Sequence, residues 1–235
     1  MVTKTIISKV GKIDFFAVLP SGTYCFLSLY IAFGIDHDEK TENLWQAIEL
    51  LIEDVQHYPS TILLILFCIY LLGSILRAIQ VSIPEKIFYG EDFPYDESIK
   101  SLFKTIKSHS EASDIDTKKI PMIDKGFSPD VYNYWKQVIC IESPEGYSDY
   151  QEFEARTRYF AAMSLAGLTG FFLALGILLY TCDFSYSLAW QQLVVSIILF
   201  SIFGFELHRV RTQEVMRLTG LYLAYRQNKE ISNSK

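Results

Sequence analysis

The chain has 235 residues, half of them hydrophobic and 15% aromatic, with a formal net charge of −6. That apolar content excludes a disordered chain, and the acidic balance excludes bulk attraction to nucleic acid, so no direct nucleic-acid binding is expected. The apolar residues are bunched into long blocks, a distribution that points to a membrane protein.

Residues 1–12 form a short basic tail carrying Lys4, Lys9 and Lys12. The apolar block behind it is too long for a signal-peptide core. It is followed by acidic residues, with no small-x-small cleavage site, so it reads as a retained first span, 13–35. Asp14 stands at its edge, and Pro20-Ser21-Gly22 interrupts it. Proline removes a backbone donor and crowds the preceding turn, so a kink or a fresh helix start is expected near Pro20.

Residues 36–59 are strongly acidic. Within them Leu44, Ile48, Leu51, Ile52 and Val55 recur at helical spacing beside Trp45. This pattern predicts an amphipathic helix on the outer membrane–water interface, with Trp45 as an anchor. The second span follows at 60–79. Gly73 and Ser74 permit close packing near its inner end, and Arg77 marks the boundary, where its long stem can reach water.

Residues 80–147 form an insert between the second and third spans. Ile99–Ile106 reads as a short amphipathic helix and Ser108–Lys119 as a polar loop. Ser128-Pro129-Asp130 reads as a helix start, with serine as cap and proline in the first helical position. The stripe Tyr132, Trp135, Val138 and Ile139 is expected to be core or subunit contact.

Ser148 and Gln151 have capping-box spacing. Glu152/Arg156 and Glu154/Arg158 are i,i+4 pairs with the acid first, the better orientation. No breaker separates them from the apolar stretch Tyr159–Cys182, so one continuous helix is predicted over 148–182, its second half the third span. Ala162, Ala166, Gly170 and Ala174 recur every fourth position and form a small-residue ridge that lets another helix approach closely. A turn at 183–187 leads into a fourth span, 188–205, which makes an antiparallel hairpin. Residues 206–235 continue as a C-terminal helix and tail. Leu207, Val210, Leu218, Leu221, Tyr222 and Tyr225 form its inward stripe, and fraying is expected from Asn228. The expected fold class is therefore an all-α membrane protein: four transmembrane helices as two hairpins, with cytoplasmic helical extensions.

Orientation follows from Lys and Arg. Three lie before the first span, one in the first loop, eleven from the boundary Arg77 to the third span, none in the 183–187 turn and six after span four. The alternation places both termini and the 80–147 insert in the cytoplasm by the positive-inside rule.

No phosphate loop, zinc-protease motif or nucleophile elbow is present, and no cofactor or catalytic residue is assigned. Cys25, Cys68, Cys140 and Cys182 lie far apart without ligand spacing. His37 and His57 lie among carboxylates in the outer loop, where a solvated acidic surface is the expected reading, so no metal site is assigned. The span centres are nearly all apolar, which argues against an ion relay within one subunit. Arg77, Arg156, Arg158, Arg209, Arg211 and Arg217 cluster in sequence near the inner boundary. They are expected as membrane anchors and, in a sharper reading, as a basic collar for anionic lipid, a nucleotide second messenger or a partner protein.

Four segments carry a resemblance: DFFAVLPSG (Asp14 to Gly22), YLLGSILRAIQ (Tyr70 to Gln80), ARTRYF (Ala155 to Phe160) and VMRLTGLYLAY (Val215 to Tyr225). In these the chain resembles a loose group of uncharacterised four-span bacterial membrane proteins. These include the membrane components of Kiwa and the accessory membrane proteins of type VI CRISPR systems, both anti-phage defences. The resemblance implies a sensor or effector in the bacterial inner membrane that works with a soluble partner. The expected function is a non-enzymatic, homo-oligomeric sensor or effector that sits in the lipid bilayer and couples membrane state to a cytoplasmic protein. The alternative is a channel-forming protein that permeabilises or depolarises the membrane.

Overall fold

The computed structural model describes residues 2–35, 41, 43–57, 61–79, 129–181 and 186–233. Among them are six helices and no strand: α1 Val2–Phe33, α2 Leu44–His57, α3 Thr61–Ile79, α4 Pro129–Glu142, α5 Pro144–Thr181 and α6 Ser187–Asn233. The readings of Ile99–Ile106 and Ser108–Lys119, and most of the 183–187 turn, lie outside the described residues.

Three helices, α3, α5 and α6, are long and apolar enough to cross a membrane, whereas the apolar stretch of α1, Val18–Phe33, is shorter. Their outward faces are greasy: Leu63 of α3 is 78% exposed, with Phe67, Phe172, Leu179, Ile202 and Phe205 also exposed. A water-soluble fold would bury such a concentration of large apolar groups, and a bilayer removes the need.

Three boundaries differ from the sequence reading. α1 is helical from Val2 and runs through Pro20 without a break. Just past the proline, the Ser21 and Thr23 hydroxyls donate back to the Val18 and Leu19 carbonyls at 3.1 and 2.8 Å, within the same turn. Backbone groups near a proline are commonly satisfied this way, and the helix then need not restart. α5 begins at Pro144, not Ser148, so the Ser148/Gln151 pair lies inside it. The start is Ser143-Pro144-Glu145, and only Ser143 separates α4 from α5. α6 stays helical to Asn233, beyond the expected fraying point.

The described helices fall into two compact units: Met1–Glu85 with Arg158–Leu207, and Lys86–Thr157 with His208–Lys235. α5 and α6 each contribute to both.

In the first unit α1 and α3 cross backbone to backbone. A Cβ on Gly22 would overlap the Ile69 carbonyl oxygen and stand 3.0 Å from Gly73 N, and one on Gly73 would overlap the Val18 carbonyl oxygen. Neither position accepts any side chain without the helices parting. α5 and α6 approach almost as closely at Gly167, where a Cβ would lie 2.8 Å from Phe200 N and 3.0 Å from the Ser196 carbonyl oxygen. The small-residue ridge is interior: Ala162 is 1% exposed, and Ala166 and Ala174 are fully buried. Cys25, Leu76, Leu165 and Ala166 form one core cluster. Ile31, Ile35, Ala47, Ile177, Leu178, Leu188 and Ala189 form another, which brings α2 against the ends of α1, α5 and α6.

α2 is fixed by polar ties at both ends. Asn43 caps it, its Oδ1 accepting from Gln46 N at 3.0 Å, and Gln191 Oε1 accepts from Leu44 N at 3.1 Å. Tyr30 of α1 donates to Asp54 at 2.7 Å. Trp45 is 67% exposed, on the face away from Ala47.

Candidate functional site

The second unit is built on an aromatic core. Tyr132, Trp135 and Ile139 of α4 pack with Tyr150 of α5 and with Val215, Leu218 and Tyr222 of α6. Trp135 stacks on Tyr222 with ring centroids 4.8 Å apart and planes 13° from parallel. The predicted stripes of α4 and α6 are thus the faces that pair.

At the edge of this core lies a carboxylate. Glu214 of α6 has no exposed surface. An ionised carboxylate buried this deeply costs several kcal/mol unless donors surround it, and four side chains supply them. Arg211 Nη1 donates to Oε1 at 2.8 Å. Tyr132 donates its single hydroxyl proton to the same oxygen. Tyr150 lies 3.0 Å from Oε1 and is also hydrogen-bonded to the Tyr132 hydroxyl, so its one proton is shared between two acceptors. Thr157 donates to Oε2 at 2.6 Å.

The cluster is closed further by Arg211. Its guanidinium sits 5.1 Å from the Tyr132 ring centroid and donates to the Tyr132 hydroxyl at 3.3 Å. Lys136 and Glu154 pair at 2.6 Å, with the Lys136 ammonium 5.7 Å from the Tyr150 ring centroid. Three helices therefore meet on one charge.

These contacts set the ionisation states. Burial pushes the Glu214 carboxyl up, but Arg211 and the donors Thr157 and Tyr132 outweigh it and hold the group below the usual carboxylate range. Burial and then the Glu214 charge push both Tyr132 and Tyr150 above the ordinary phenol value. The stable arrangement is one carboxylate, one guanidinium and two neutral phenols. With donors on both oxygens and no exposed surface, Glu214 acts as a clamp on α4, α5 and α6.

The sequence-predicted arginines fare differently. Arg211 turns inward and is spent on Glu214. Arg156 pairs with Glu152 on the surface, as the i,i+4 spacing predicts, and Arg217 lies 3.3 Å from Asp149. Arg209 is exposed, and Arg77 and Arg158 belong to the first unit. Of the collar's second-unit members, three are already matched to carboxylates. The ridge Ala162, Ala166, Gly170 and Ala174 serves the interior of the first unit. Among the described residues no group of three His, Cys, Asp or Glu is placed to hold a metal ion.

Sequence reasoning passed over Glu214 and Thr157. A signal was available: Glu214 lies in register with Leu207, Val210, Leu218 and Tyr222, so it occupies an inward position on an otherwise apolar stripe. A carboxylate there requires partners. It also passed over Gly167, three residues from Gly170 and nearer to a neighbouring backbone.

No protein-family model, curated protein or solved structure matches the chain.

Proposed function

We propose that this chain is a non-enzymatic, oligomeric bacterial inner-membrane protein that couples the state of the membrane to a cytoplasmic protein partner, in the manner of a defence sensor or effector. It crosses the bilayer four times with both termini in the cytoplasm. The observation that carries the reading is the continuity of α5 and α6. The two helices that hold two of the apolar spans run on unbroken and supply the residues that clamp α4 through Glu214. A helix transmits a displacement along its axis because each turn is bonded to the next. A shift in the apolar part of either helix would then be felt by a buried, charge-centred network, and such networks respond in discrete steps.

The span beyond those of α3, α5 and α6 is the first one, in α1. From Ile13 to Phe33 it is about 30 Å long at 1.5 Å per residue, enough for the hydrocarbon core, and its helix is unbroken. Orientation rests on the distribution of Lys and Arg.

The test uses the full chain in liposomes, with the membrane potential collapsed by an ionophore. Hydrogen exchange in α4 should change on depolarisation, and crosslinking should return a multimer that captures a soluble protein from its native host. A strict monomer with no partner and an α4 indifferent to potential would overturn the proposal. Ion flux through the same liposomes would instead support the channel reading.

A further inference from the structure

The inner face of the first unit carries polar groups that its apolar surroundings do not ask for, and one of them is left over. Gln192 of α6 is 1% exposed. Its Nε2 donates across to the Gly170 carbonyl at a long 3.4 Å. Its Oε1 is buried and has no hydrogen-bond partner among the described residues. Exchanging the two ends of the carboxamide would not help, since it would set oxygen against the Gly170 oxygen.

The nearest hydroxyls bond each other and not Gln192 Oε1. Ser196, one turn along α6, bonds Tyr24 of α1 at 2.7 Å. Both crowd Gly170, where a Cβ would lie 2.7 Å from Ser196 Oγ and 3.0 Å from Tyr24 OH. Ser28 is buried on the same face of α1. A buried carbonyl oxygen without a donor raises the energy of the packed state by its whole desolvation cost, because unpacking lets water or a hydroxyl reach it. The close fit at Gly167 and Gly170 holds it there, together with the apolar cores of the first unit.

We propose that Gln192 is a built-in destabilising element. The packing described here is one of two arrangements of the first unit, and in the other the α5–α6 contact loosens at Gly170 and Gln192 Oε1 gains a donor. The orphan oxygen keeps the second arrangement within thermal reach. This rests on the chemistry of buried amides and holds whether or not the chain is a membrane sensor.

Methionine matches glutamine in length and shape but has no carboxamide. In full-length protein in lipid nanodiscs, Gln192→Met should slow amide exchange across 165–176 and 190–200 by about fivefold or more, because the packed state is relieved of the orphan acceptor. Gln192→Leu, of different shape, should act in the same direction. Exchange in α4, followed alongside, reports whether the change stays within the first unit. Unchanged or faster exchange at 165–176 and 190–200 in both variants would overturn the proposal, since it would mean that the carboxamide stabilises the packed state.

Discussion

Replacing Glu214 by alanine takes away the carboxylate on which Tyr132, Tyr150, Thr157 and Arg211 converge. The two phenols can still bond each other, and Thr157 can turn its proton to the Phe153 carbonyl at 3.0 Å. Arg211 cannot recover so easily, for its side chain is only 12% exposed. Leaving one member of a buried pair uncompensated costs about 3–5 kcal/mol, and the remaining exposure places this case near 3. At about 1.4 kcal/mol per decade, α4 should open roughly a hundred times more often. Glutamine at the same position behaves differently. Its Oε1 can keep the three donors, while its Nε2 faces a Thr157 hydroxyl that can become the acceptor. Only the charge is lost, a penalty of about 1.5–2 kcal/mol. The pair Glu214→Leu with Arg211→Met should recover most of the loss, since neither charge is then buried alone. Hydrogen exchange over residues 132–140 in the full chain reads all three variants. Unaltered α4 protection in Glu214→Ala, or equal losses for alanine and glutamine, would refute the assignment of a charge-centred clamp.

The same network gives the second unit a pH window. The depressed Glu214 group contributes stability above the unfolded carboxyl pKa of ~4.3 that is lost as pH falls through its lower folded value. The raised Tyr132 and Tyr150 groups contribute stability below ~10 that is lost as pH rises through their folded values. Thermal melts followed by the tyrosine near-ultraviolet signal should show both limbs, and Glu214→Gln should flatten the acid one. Gly73→Leu should part α1 from α3 and lower the melting temperature in detergent, with an overpacking cost of about 1–3 kcal/mol or more, because the obstacle at Val18 is backbone. Gly220→Ala should do the opposite. Nothing lies within 4 Å of a Cβ there, so the helix gains about 0.5–1 kcal/mol of propensity, and a lowered melting temperature would show that α6 is not an ordinary helix at that point.

What could be read in the sequence was periodic. The stripes of α4 and α6, the Glu152–Arg156 pair and the run of α5 into its apolar half follow from spacing within one helix. What could not be read depends on partners far along the chain. Nothing near Glu214 announces that Tyr132, 82 positions earlier, will reach it. Gly22 looks like part of a proline-associated break, and the close packing expected at Gly73 has no identified partner, until the two helices are laid across each other. The α5 start is a different kind of miss. Ser143-Pro144-Glu145 has the same grammar as Ser128-Pro129-Asp130, but the nearer capping-box pattern at Ser148 drew the boundary inward.

Neither unit is a continuous piece of chain, and this bears on biosynthesis. The first unit is not complete until α6 has delivered Leu188, Ala189 and Ser196, and the second waits for Glu214, Leu218 and Tyr222. As the nascent chain leaves the ribosome, α4 must exist for a time with Tyr132, Trp135 and Ile139 uncovered. Non-local closure of this kind is slow, and exposed aromatic surface is prone to aggregate while it waits. A chain truncated after residue 213 would therefore lack far more than a tail: α4 would keep Tyr150 of α5 but lose Glu214, Val215, Leu218 and Tyr222, and quality-control proteases would see the part of its apolar face that α6 covers.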